Sequence, residues 1–101
     1  MLLGRLYYAT HHLGRRLLIK IGLHPNQWRA SVHQRVLNEL RQQYVATGRM
    51  TLDAWRALNE LRELRQIADY ELTTRVQLRH VNRAISLFTP FADECYQILG
   101  V

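Results

Sequence analysis

Cysteine is almost absent: Cys95 is the one thiol in 101 residues, so no disulfide closes within the chain and a cysteine-rich zinc site is excluded. Long apolar runs are missing too, and none approaches the ~20 residues that a membrane-spanning helix needs. The start, Met1-Leu2-Leu3-Gly4-Arg5, has neither the apolar stretch nor the cleavage site of a secretory signal. A soluble, cytoplasmic protein with no membrane contact is expected. There is no glycine-rich phosphate loop, no Gly-x-Ser-x-Gly elbow and no His-Glu-x-x-His pair. The five histidines (His11, His12, His24, His33, His80) lack carboxylates at ligand spacing. His11 and His12 are adjacent and so point about 100° apart on a helix. Neither a metal nor a cofactor is expected.

Acidic residues are scarce in one half only. Residues 1–50 hold eight basic side chains against the single acid Glu39, whereas residues 51–101 hold six basic and seven acidic ones. The net charge of +6 therefore comes from the first half. Such a half attracts phosphate backbones or an acidic protein surface. All the cations except Lys20 are arginine, whose planar fork suits bidentate contact with phosphate or carboxylate. A merely solvated arginine-rich surface would have the same composition.

Glycine and proline are also few, and they punctuate the chain. A first helix is read over residues 2–21, with Leu3, Leu6, Tyr7, Thr10, Leu13, Leu17 and Ile21 at helical spacing. Gly22 ends it as a left-handed cap, and Pro25 keeps it from resuming. A second helix is expected over residues 26–47, closed by Gly48. Thr51 then offers an N-cap for a third, with Asp53 in the first turn, where a negative charge suits the helix dipole. The last segment keeps its helical period through Val81, Ile85, Phe88, Ala92, Cys95 and Leu99, with Pro90 expected to kink or break it. Thr73-Thr74 marks either a break or a bend before it. No strand pattern, repeat or linker is present. Residues 1–101 therefore read as a single all-α domain, an antiparallel up-and-down bundle of four or five helices with short loops.

Two stretches carry a family resemblance. One is Arg5-Leu6-Tyr7-Tyr8-Ala9-Thr10-His11-His12; the other combines Tyr44-Val45-Ala46-Thr47-Gly48 with Arg65-Gln66-Ile67-Ala68-Asp69-Tyr70. In this order and separation they resemble the HEPN superfamily, in its branch of small prokaryotic proteins with a Tyr-Tyr-Ala helix and an Arg-x-x-Ala-Asp-Tyr segment. The resemblance implies a helical bundle, usually dimeric. Many members are metal-independent endoribonucleases with an Arg-x4-6-His motif; others are catalytically silent and work beside a minimal nucleotidyltransferase in toxin–antitoxin or defence systems. Carried over by position, the motif arginine is Arg65. Tyr70 stands where the active form has histidine, and Gln66 where asparagine commonly follows. The implied role is that of a homodimer or nucleotidyltransferase partner that contacts RNA or an acidic surface, with a degenerate catalytic motif. Only four residues precede Arg5, where this branch usually has another helix, so an apolar groove covered by a second subunit or a partner is expected.

Spacing adds detail to that expectation. Arg65 and Asp69 sit at i, i+4 and can pair, worth about 0.3–0.5 kcal/mol as a surface bridge. Tyr70 lies about 140° around a straight helix from Arg65, which reads as a core tyrosine. Tyr8 and His12 share a face, with Arg15 and Arg16 one turn on, so RNA or a partner is expected at Tyr8, Arg15, Arg16, Arg65 and Asp69. For an endoribonuclease, Arg65 would stabilise the phosphorane charge while His12 or His80 deprotonates the 2′-hydroxyl. Arg75 and His80 form a chance Arg-x4-His. A small basic DNA-binding regulator is the third expectation. Trp28 and Trp55 read as packing residues, and Cys95 as a buried thiol.

Overall fold

The computed structural model describes the backbone of residues 2–70 and 78–100, and the side chains of residues 4–66 and 78–100. The expected all-α bundle is what forms. Four helices, α1 (Leu2–Lys20), α2 (Val32–Leu40), α3 (Leu52–Tyr70) and α4 (Leu78–Leu99), pack around one core, and there is no strand among the described residues.

Local chemistry sets the ends of these helices. Gly22 takes φ +91°, and the Leu23 and Gly22 N–H groups donate to the Leu18 and Ile19 carbonyls at 3.0 Å each, closing α1 as a Schellman turn. Gly48 closes the next helical segment in the same way. The Thr51 hydroxyl accepts from Ala54 N–H at 3.2 Å and so caps α3, as its position suggested. Glu94 on α4 in turn accepts from the Thr51 N–H and hydroxyl at 3.4 and 3.1 Å, which ties that cap to α4.

Three expectations are corrected. The second helix does not begin near Asn26: Pro25–Gln27 is a single 3-10 turn, Trp28 is extended, and Ser31 takes a left-handed φ of 53° before α2 starts at Val32. It then widens into a π-helical stretch over Arg41–Val45, where Ala46 N–H donates to the Arg41 carbonyl at 2.9 Å. Second, of the kink or break expected at Pro90, the break does not occur: α4 runs from Leu78 to Leu99 with Pro90 on its exposed side. Third, the arrangement is not simply up-and-down. Tyr7 meets His33, Gly14 meets Leu40, and Leu17 meets Tyr44, so α1 and α2 ascend together. The connection over residues 21–31 must therefore cross back along α1, and it is too long to be a tight turn. In contrast, α3 runs opposite to α2, since Arg62 reaches Gln34 while Trp55 reaches the Leu37 carbonyl. The proposed break at Thr73-Thr74 lies outside the described residues.

The close approach of α1 and α2 depends on Gly14. A Cβ there would meet Leu40 Cδ1 at 3.0 Å and Val36 Cγ1 at 3.4 Å. Leu17, Leu18, Leu40, Leu58, Leu61 and Phe91 are fully buried around this crossing, each worth about 1.5–3 kcal/mol in apolar surface removed from water. The end of α1 is pinned as well. Ile21 N–H turns to the Leu18 carbonyl at 3.2 Å, and the buried Tyr44 hydroxyl donates to the Leu17 carbonyl, one of the terminal carbonyls a helix leaves without a partner. Ile85, read as part of the inward stripe, is instead 46% exposed on the shoulder of α4. No helix among the described residues is long and apolar enough to cross a membrane.

Candidate functional site

The ascending pair of α1 and α2 brings one turn of each against the later part of α3. There Tyr7, Tyr8 and His11 from α1, His33 from α2 and Arg65 from α3 form a single ring-and-guanidinium cluster. Arg65 donates from Nη2 to the Tyr8 hydroxyl at 2.9 Å, and its guanidinium carbon lies 4.4 Å from the Tyr8 ring centre and 5.3 Å from that of Tyr7. This placement supplies cation–π attraction, and the planar fork can donate a hydrogen bond while it lies over the ring. The Tyr7 hydroxyl and His33 Nδ1 share a hydrogen bond at 2.5 Å, and the His11 and His33 rings stack with centroids 4.3 Å apart.

Two further arginines border the cluster. Arg62 donates to Gln34 Oε1 at 2.7 Å, and Arg15 donates to Asn26 Oδ1. These acceptors are neutral amides, so they orient the forks without cancelling their charge. Arg83 differs, since its fork closes on the Glu60 carboxylate at 2.6 and 2.9 Å. The electrostatic consequences fall on the imidazoles. Burial, then His33 and the arginines, push His11 down to about 3, so it is neutral at physiological pH. His33 is lowered by burial first and then by Arg65, Arg62 and Arg15. Burial raises Tyr7 despite Arg62 and Arg65, so its hydroxyl keeps its proton.

The expected site residues are thus partly assembled. Arg65 and Tyr8 meet, and Arg15 adjoins them through the histidine pair. His12 is exposed beside Tyr8, with ring centres 6.5 Å apart. Arg16 faces solvent, about 100° around α1 from Arg15. His80 is half-buried in the first turn of α4. The side chains of Asp69 and Tyr70, and Arg75 as a whole, lie outside the described residues. Trp28 and Trp55 carry arginines on their rings, but these are Arg35 at 4.3 Å and Arg41 at 4.9 Å, not their sequence neighbours Arg29 and Arg56.

His33 and Arg62 are the members that sequence spacing did not single out. His33 reaches the cluster only because α2 lies alongside α1, a contact spanning 26 residues. The sequence feature that bears on this contact is Gly14, whose missing side chain lets α2 come close to α1.

Chemically, the cluster offers guanidinium forks, neutral imidazoles and a protonated phenol, a set suited to an anion such as phosphate. No group of three His, Cys, Asp or Glu among the described residues is arranged to hold a metal ion. A separate groove of about 290 Å³ between α3 and α4 is floored by Ala54, Ala57, Leu87 and Phe91, and Glu94 at its rim is already engaged by Thr51. Comparison with family models, with curated proteins and with solved structures finds no match to this chain.

Proposed function

We propose that this chain is a HEPN-type component of a prokaryotic toxin–antitoxin or defence system, acting as a homodimer or beside a minimal nucleotidyltransferase, and that it contacts RNA through the Tyr8–Arg65 side of α1. The family and setting rest on the sequence resemblance. The RNA contact rests on one observation: the Arg65 guanidinium lies over Tyr8, with Arg15 and Arg62 held beside it by amide oxygens. Such forks take phosphate oxygens bidentately, and the exposed Tyr8 and His12 rings offer surface to a base. An acidic protein surface would use the same forks. The test is binding of single-stranded RNA to the full chain at low and moderate salt. Arg65→Ala should weaken it about tenfold or more, whereas Arg56→Ala, on the opposite face of α3, should leave it nearly unchanged. Equal effects of the two substitutions would refute a localised site.

A metal-independent endoribonuclease is the second reading, and the neutral His33 imidazole beside arginines is the observation that favours it. Cleavage that resists EDTA and disappears in Arg65→Ala, with His12→Ala, His80→Ala and His33→Ala separating the candidate bases, would establish it. No cleavage by the intact chain would leave the silent partner role.

A further inference from the structure

Exposed apolar side chains are ordinary when scattered and informative when they gather on one face. Among the described residues, the large hydrophobics that stand exposed are Tyr8, Ile19, Leu78, Ile85 and Tyr96. All of them belong to α1 and α4, and none comes from α2, α3 or a loop. These two helices lie side by side and run in the same direction. Lys20 at the end of α1 donates to the Ile98 carbonyl near the end of α4 at 2.7 Å. The third helix runs opposite to both: Leu58 lies by Gly14 and Arg65 by Tyr8, while Glu60 meets Arg83 and Thr51 meets Glu94.

Helical rotation orders this face. On α1, Tyr8 and Ile19 fall within about 20° of one line, and the exposed Arg5 and Arg16 within about 20° of another. Tyr8 leans toward α3, where Arg65 meets it, and Lys20 leans toward α4, so the line of Arg5 and Arg16 lies between them. On α4, Leu78, Ile85 and Tyr96 share one line within about 20°, roughly opposite Glu94, which faces α3. That line therefore looks outward on the α1 side of α4. A row of cations (Arg5, Arg16, Lys20) thus runs alongside an apolar row. Lys20 keeps its charge, because its acceptor is a neutral carbonyl. No carboxylate offsets the cations: α1 has none in its 19 residues, and Asp93 on α4 is turned about 60° from Tyr96, away from α1.

Two occupants do not suit this pattern. A second copy pairing the same face about a two-fold axis would set cations against cations with no carboxylate between them. A nucleic-acid backbone would satisfy the cations and leave Leu78 and Ile85 without an apolar partner. We infer that the outer face of α1 and α4 docks an acidic amphipathic helix of a partner protein. Its apolar residues cover Ile85 and Tyr96, and its carboxylates meet Arg5, Arg16 and Lys20. The apolar line from Leu78 to Tyr96 is about 27 Å long, which matches a helix of about 18 residues. This docking is independent of the RNA contact, which uses the α3 side of α1.

Fluorescence anisotropy with the full chain tests this. The probe is a labelled synthetic peptide of about 18 residues, with leucine along one helical face and glutamate on the others. Two comparison peptides are a scrambled sequence of the same composition and a version with lysine in place of glutamate. The acidic amphipathic peptide should bind about tenfold or more tighter than either. Ile85→Glu and Arg16→Glu should each weaken it about tenfold. Both residues are exposed, so circular dichroism should show the variants folded. Arg56→Glu changes net charge equally from an exposed position on α3 and should leave binding within about twofold. Equal binding of the three peptides, equal effects of Arg16→Glu and Arg56→Glu, or no binding at all would overturn the inference. Two other outcomes would also overturn it. A dimer seen by sedimentation and abolished by Ile85→Glu would assign the face to a second copy. Binding to phosphatidylglycerol vesicles that is lost in Ile85→Glu, with no peptide binding, would assign it to a membrane surface.

Discussion

Acid should destabilise this fold chiefly through the His11 ring. His11 is 3% exposed and stacked on His33, and burial with its cationic neighbours holds it at about 3 against an ordinary value of 6.5. Between those values the unfolded chain binds the proton and the folded chain does not. Stability attributable to His11 is therefore complete above about pH 6.5 and is lost as pH falls below it, at about 1.4 kcal/mol per unit. Lowering the pH to about 5 spans some 1.5 units and costs about 2 kcal/mol. Urea unfolding followed by far-ultraviolet circular dichroism, at about pH 7.5 and about pH 5, measures this directly. Other titrating groups contribute to both curves, so the quantity to compare is the pH-dependent loss in the wild type against that in His11→Gln. The wild type should lose about 2 kcal/mol more. His11→Leu should behave like His11→Gln, since neither side chain titrates. Parallel losses in wild type and both variants would show that the ring is reachable by protons in the folded state, and would refute the buried placement.

Two further outcomes test the packing. Gly14→Val places branched carbons where Leu40 and Val36 already stand at 3.0 and 3.4 Å from a Cβ, so chemical denaturation should show a loss of about 1–3 kcal/mol, whereas Gly4→Ala, with nothing within 4 Å, should not destabilise. Cys95 is fully buried, and that burial pushes its thiol up to about 12. A thiol-reactive dye at pH 8 should therefore leave the native protein unlabelled and react promptly once urea unfolds it; rapid labelling of the native state would contradict the burial.

The site was legible only in part. Tyr8 and Arg65 were singled out by motif, and the structure brings their side chains into a hydrogen bond. Arg15 and Arg16 looked equivalent as neighbours in the chain, yet one is half-buried against the histidines and the other faces water. One residue of helical rotation, about 100°, separates those fates. His33 and Arg62 had no signal of their own, because the partners that give them meaning come from other helices.

The sequence alone determined where several helices begin and end. Gly22, Gly48 and Thr51 act through bonds to residues at most a turn or so away, so their effect is local and readable. It also determined the fold class, since apolar residues repeat every three or four positions and never every two. Which helix lies against which, and in what direction, was decided by the tertiary structure. Periodicity marks an apolar face but does not name the surface that covers it. The crossing-back over residues 21–31, the widened turn that carries Tyr44 to Leu17, and the stacking of His11 on His33 all follow from α1 and α2 ascending together. The energy of that choice resides in contacts between distant residues, which no local window contains.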